Sequence, residues 1–406
     1  MTQEQVESGA SSEALVNAIT KHMNTVVNTS SYSDVGYTTL MMRRDIITAD
    51  MPVRDPAYYY FQSYAYCHAI GHYQTMSDQW KFYNQLVLLC NLVLKATDES
   101  SSDDAQNRAT AYMYRAFAEM DMARMYEFRP TGTSLDGGYY QELKGLTMPI
   151  INENTTEAKS FDNPRAPFYK MYRFILHDLD KAEALVKIGG DAAAKNKARL
   201  STIYGLKARL WLEAATRFDR FPDDLAEMIE HESDSYDADN DLGAGYALDP
   251  MGVTSAHDAY AKAAEYASLA RSGHTPLTEA EWFNPKSGFN SSAVSSWMFA
   301  ITMGSSDEMS TTYTWQSWVS FMSPEATWGL ASPNYKASHM IDKSLYDCID
   351  PADWRRYTWI GPGDMSEDMF NAKYASRTNF TYEQWSGNAP YVGLKFHPGQ
   401  GDISTS

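Results

Sequence analysis

The chain lacks any run of about 18 apolar residues, the length a membrane-crossing helix needs, so the sequence offers no such segment. It is short of positive charge: 34 Lys and Arg stand against 52 Asp and Glu, for a formal net charge of −18. A field of that sign repels nucleic-acid phosphates and anionic lipid headgroups, which makes both poor partners. No basic run or glycine-rich phosphate loop offsets it. Cysteine is scarce, with Cys67, Cys90 and Cys348 only, an odd and widely spaced set that argues against a disulfide framework. Cys67 and Cys90 lie in apolar helical text and read as buried thiols.

Catalytic and metal motifs are missing too. The nine histidines include no His-x-x-Glu-His or His-Glu-x-x-His spacing, and there is no Gly-x-Ser-x-Gly elbow. His68 and His72 share a helix face, but no carboxylate is placed to complete a site. Asp237-x-Asp239-x-Asp241 imitates the start of a calcium loop, yet Leu242 stands where glycine is needed and Leu248 where the bidentate Glu belongs. The expectation is a non-enzymatic chain with no metal and no cofactor. Paired carboxylates of a glycosidase stay open, because their separation is a three-dimensional fact. No signal peptide is visible either: Met1-Thr2-Gln3-Glu4 opens into polar text.

What the chain has is helical periodicity up to about residue 275. Helices are expected over 12–28, 57–75, 77–97, 104–128, 164–187, 196–218 and 255–272. Phe82, Leu86, Leu89 and Val93 step 4-3-4 after Ser77, a credible N-cap. Ala109, Met113, Ala116, Met120 and Ala123 make a stripe of small and flexible residues suited to close helix approach. Phe168, Met171, Ile175, Leu179, Ala182 and Val186 follow Asn163-Pro164, read as N-cap and N1. Ser255 with Asp258 opens the last helix and Gly273 closes it. The helices pair as 77–97 with 104–128 and 164–187 with 196–218, the second member of a third pair being unclear. This is the economy of tetratricopeptide-like stacking with an irregular period.

The text changes after residue 275, giving regions 1–275 and 276–406. Glycine, proline, serine and asparagine take over, with one strand-like run at 296–301. Eight of the ten tryptophans fall there: Trp282, Trp297, Trp315, Trp318, Trp328, Trp354, Trp359 and Trp385. A loop-dominated region of that size is usually functional.

Several phrases then line up in order. Asp34-Val35-Gly36-Tyr37 precedes Arg44-Asp45 and Asp50, and Trp80, Tyr83 and Asn91 fall in Trp-x2-Tyr-x7-Asn. Ala111 to Ala118 reads Ala-Tyr-Met-Tyr-Arg-Ala-Phe-Ala, without the usual leading Glu, and Leu146-Thr147-Met148-Pro149-Ile150 forms a turn phrase. Asp178-Leu179 with Ala182, Lys207-Ala208-Arg209-Leu210, and Asp350-Pro351 with Arg355-Arg356 complete the set. Together they resemble the SusD/RagB family of nutrient-binding lipoproteins of Bacteroidetes.

The resemblance implies a mainly α, SusD-like fold: a tetratricopeptide-like helical-repeat scaffold with long loop-rich insertions and few short strands. It implies capture of a glycan at the cell surface, for delivery to a SusC-like TonB-dependent outer-membrane transporter. RagB-like peptide uptake is the alternative. Membrane attachment would be only through an N-terminal lipid anchor, absent from this chain, and the family's C-terminal repeat is expected to be missing after Lys395–Asp402. The expected ligand-binding residues are Trp80, Tyr73, Asn84, Tyr313, Trp315, Trp318 and Trp328. An indole or phenol face matches the C–H face of a pyranose, and neighbouring amides bind its hydroxyls. Trp211, mid-helix, is expected in the core, and Trp354 beside Arg355-Arg356 is expected to be structural, through stacking and ion pairs.

Overall fold

Apolar spacing turns into helix in eight long stretches of the computed structural model, which describes residues 12–24, 36–48, 50–52, 74–130, 140–235, 242–243, 247–284, 286–289, 291–301, 324–327 and 339–396. They are α1 (Ser12–His22), α2 (Gly36–Ile47), α3 (Gln74–Ala96), α4 (Ala105–Tyr126), α5 (Phe168–Gly189), α6 (Leu200–Arg220), α7 (Pro222–Glu230) and α8 (Ala256–Arg271). Among the described residues, extended pairing is limited to isolated bridges, Leu146 with Pro167, Met340 with Val392 and Trp359 with Gly393. The fold is therefore mainly α. The chain divides into two units, Met1–His22 with Trp80–His274, and Met23–Gln79 with Thr275–Ser406.

In the first unit, α4 is the central helix. Its expected stripe from Ala109 to Ala123 is buried, but so are Arg108, Thr110, Arg115, Glu119 and Asp121 on its other faces. Packing on every side explains why a single stripe understates it. α3 pairs with α4 as expected: Tyr83 Oη donates to Asp121 Oδ2 at 2.9 Å, and Arg108 Nη1 donates to the carbonyls of Leu94 and Thr97 at the end of α3. The second expected pair is present too, since α5 packs on α6, and among the described residues α4 also packs broadly on α5 and α6 on α8. The partner of the 255–272 helix is thus α6.

Three helix starts also move, and the first helix, expected over 12–28, ends at His22. α3 begins at Gln74, so Ser77 is an exposed residue inside it and not its cap. α5 begins at Phe168, because residues before a proline favour extended backbone. Ala166, before Pro167, exchanges backbone hydrogen bonds with Thr147 and Met148 instead of entering the helix. α6 begins at Leu200, whose N–H donates to Asp191 Oδ1 at 2.7 Å from across the preceding turn. α8 matches its expectation: Ser255 accepts from the Asp258 N–H, and Gly273 takes φ 79° just past the end.

One buried cluster joins three helices. Arg115 of α4 donates through Nε and Nη2 to Asp178 of α5 at 2.7 and 2.8 Å, and through Nη1 to Asn91 of α3 at 2.7 Å and to Glu153 at 2.5 Å. The Arg115 and Asp178 side chains are fully enclosed. Burial pushes the Asp178 carboxyl up, but the adjacent guanidinium outweighs that and holds it below the usual range. Lys207 of α6 is likewise enclosed and bound by Asp180 and Glu183.

In the second unit, α2 requires Gly36. Its φ is +60°, and a Cβ there would meet the Met23 carbonyl oxygen, which accepts from the Tyr37 N–H at 2.9 Å. The core of the C-terminal part is Ile360, Phe370, Tyr374, Phe380, Trp385, Val392 and Leu394. Trp385 sits 4.3 Å from the Tyr374 ring and 5.3 Å from that of Phe370, centre to centre. Glu325 ties this part to residues 324–327, accepting from Thr378 Oγ1 and from Asn379 N and Nδ2. The strand expected over 296–301 does not form. Those residues are turn and bend, fixed by Trp297 Nε1, which donates to the Phe289 carbonyl at 2.9 Å.

Candidate functional site

Of the expected ligand residues, Trp80 and Asn84 are described, whereas Tyr73, Tyr313, Trp315, Trp318 and Trp328 lie outside the described residues, as do Cys67, His68, His72 and Asp237 to Asp241. Trp80 is in the second turn of α3 and not at its start. It is half-buried, and its ring meets Tyr126 at the end of α4 edge-on, 5.0 Å between centres. Asn84 follows one turn later on the same face. Its Nδ2 donates to the Trp80 carbonyl at 2.9 Å and reaches Met122 Sδ at 3.7 Å. The two therefore form a small ledge: an indole braced by a phenol, with an amide set beside it. Trp211 is in the core at 4% exposure, as expected.

A second aromatic arrangement was not legible beforehand. In the unit containing residues 275–406, Trp282, Trp297 and Trp354 line one cleft of about 420 Å³ together with Ser296, Asp353 and Arg355. That volume is in the range of small-ligand sites. A short helix, Glu279–Trp282, ends on Trp282 and is opened by a Thr278–Glu281 capping box. Trp282 Nε1 donates to Thr358 Oγ1 at 3.1 Å, and its ring meets that of Trp354 edge-on at 6.0 Å. Asp353 caps the 3-10 turn Trp354–Thr358 by accepting from the Arg355 N–H, and it also binds the Arg355 guanidinium. Arg356 turns away, donating to the carbonyls of Tyr346 and Ile349. Trp354 thus packs edge-on against Trp282 and Phe283, where stacking was expected, and also faces the cleft. The tryptophan density after residue 275 was the available signal. It did not say which rings converge.

Lys395 completes the aromatic surround. Its Nζ lies 4.1 Å from the Trp282 ring centre and 5.1 Å from that of Phe289. Burial depresses its pKa, and cation–π contact replaces a carboxylate partner.

Two of the most strongly shifted titratable groups among the described residues are buried in the helices. The Glu119 carboxyl is pushed up to about 8 by burial, but it is enclosed in α4, out of a substrate's reach. Burial also pushes the Cys90 thiol up, which makes it unreactive. Among the described residues, no group of three or more His, Cys, Asp or Glu side chains is arranged to hold a metal ion, and no helix is long and apolar enough to cross a membrane.

No family model matches the chain. No curated protein matches it either. Solved structures do. A SusD-like carbohydrate binding protein from Bacteroides vulgatus ATCC 8482 superposes with a TM-score of 0.61 at 17% identity, over 86% of this chain and 60% of that one. A SusD superfamily protein from Bacteroides thetaiotaomicron VPI-5482 gives 0.56 at 13% identity, over 97% and 71%. A structure with xylogluco-oligosaccharide gives 0.52 at 17% identity, over 86% and 58%. The class is a mainly α helical-repeat protein. More particularly, the chain has the SusD-like fold and spans about 60% of the length of the first of these structures.

Proposed function

We propose that the chain is a non-catalytic, cell-surface glycan-binding protein that delivers its ligand to a SusC-like TonB-dependent transporter of the outer membrane. The observation that carries this reading is the ledge of Trp80 and Asn84, on a fold similar to that of a SusD-like carbohydrate binding protein and of a structure with xylogluco-oligosaccharide. A half-exposed indole offers an apolar face to the C–H side of a sugar ring. The amide next to it adds a hydrogen bond that fixes the ring's orientation.

Bracing by Tyr126 keeps the indole in place before ligand arrives, so little side-chain freedom is lost on binding. Tyr73, Tyr313, Trp315, Trp318 and Trp328 are proposed to extend the surface. The lipoprotein anchor and the outer-membrane location belong to the same reading. Native gels cast with individual polysaccharides test it. The protein should be retarded by at least one of them, Trp80→Ala should weaken retardation roughly tenfold or more, and no new reducing ends should appear. Equal mobility in every gel, with binding to a peptide library instead, would replace the glycan by peptide cargo.

A further inference from the structure

We infer that the cleft of Trp282, Trp297 and Trp354 is a further sugar-binding site, built for a neutral pyranose chain and independent of the Trp80 ledge. Trp282 and Trp297 have their indole N–H groups committed to Thr358 Oγ1 and the Phe289 carbonyl. Each can then offer a ligand only ring faces and carbon edges, held at fixed angles. Lys395 covers one face of Trp282 and is not among the cleft-lining residues, so the ligand meets the opposite face.

Polar groups without internal partners surround these rings. Ser296 lines the cleft, and its Oγ makes no hydrogen bond among the described residues. Trp354 Nε1 and Arg355 Nη1 also have no partner among the described residues, so two donors remain for hydroxyl oxygens. An apolar floor edged by single donors and acceptors matches the two-sided chemistry of a pyranose, with C–H groups on its faces and hydroxyls at its rim.

Charge selects the neutral class. Asp353 binds the Arg355 guanidinium by two of its nitrogens, which cancels the lining charge. The chain as a whole carries −18 and repels uronate polymers.

The test uses the full chain with cellohexaose, maltohexaose, mannohexaose, a xyloglucan oligosaccharide and, as the anionic control, oligogalacturonate. Tryptophan fluorescence and saturation-transfer NMR report binding. At least one neutral oligosaccharide should bind at millimolar concentration or below. Trp354→Ala should raise its dissociation constant about tenfold or more, as truncation of an aromatic anchor does. Ser296→Val should raise it by a smaller factor, and Trp354→Phe should recover part of the loss, with near-UV circular dichroism showing that each variant is folded. In a chain already carrying Trp80→Ala, Trp354→Ala should still raise the dissociation constant of that ligand about tenfold or more.

No neutral ligand at millimolar concentration, or preference for oligogalacturonate, would each overturn the proposal. Binding lost in Trp80→Ala but untouched in Trp354→Ala would also overturn it, while leaving the proposed function standing.

Discussion

The long helices of Trp80–His274 and the ring cluster around Trp385 bury different chemistry. Along Trp80–His274, buried guanidinium and ammonium groups meet carboxylates at the helix interfaces: Arg115 with Asp178, Arg217 with Glu127 and Asp224, Lys207 with Asp180 and Glu183. Arg173 adds hydrogen bonds to the carbonyls of His231, Asp234, Leu248 and Asp249, which lie beyond the helices. In the unit containing Thr275–Ser406, the enclosed cluster is made of rings and aliphatic side chains around Trp385. Long helices present regular faces that can be stapled at chosen heights by a single charged group. Short turns present no such faces, so the volume is filled by large aromatics, each burying much area.

The largest expected effect falls on the staple. Arg115→Met leaves Asp178 and Glu153 without their cation and should cost about 3–5 kcal/mol in denaturant unfolding. The double variant Arg115→Met with Asp178→Leu should recover much of that loss, since removing both charges also removes the buried unpaired one. If the double variant is as unstable as the single one, the contrast between ionic and aromatic cores fails.

Trp385→Ala comes next. It should cost about 3–5 kcal/mol by emptying the centre of the ring cluster. Trp385→Phe should cost distinctly less, because the lost indole Nε1–H is buried without a partner.

A smaller pair of effects gives the units opposite responses to pH. Glu119 is raised by burial to about 8 from 4.5. Between those values the folded state keeps a proton that the unfolded state has released, so stability is lost as pH rises. His339 is lowered to about 4 from 6.5, by burial first and the Lys395 charge second. There the unfolded state binds the proton first, so stability is lost as pH falls below 6.5. Glu119→Gln should flatten the alkaline limb and His339→Asn the acid limb in urea titrations from pH 4 to 9. A limb that keeps its slope in the matching variant identifies another group as its source.

Much of this was legible in the chain itself. Asn91, Arg115 and Asp178 each stood in a separate phrase of the family resemblance, and helical spacing placed them on three helices. Their convergence was not legible, because it depends on the height at which helices cross. The central position of α4 was likewise hidden, since a helix packed on all sides shows no polar face to read. The altered helix starts came from local competitors, the Asp191 cap and the paired backbone at Ala166. The tryptophan cleft was least accessible, because Trp282 and Trp354 are far apart in sequence and turns, which carry no periodicity, bring them together.

The guanidinium of Arg115 has one more consequence. A stack whose register is set by a side-chain clasp, and not by equal spacing along the chain, does not measure the segments between its helices. Those segments can lengthen, shorten or change composition between relatives while the scaffold keeps its alignment. A scaffold of this kind can change its surface by exchanging its connections alone.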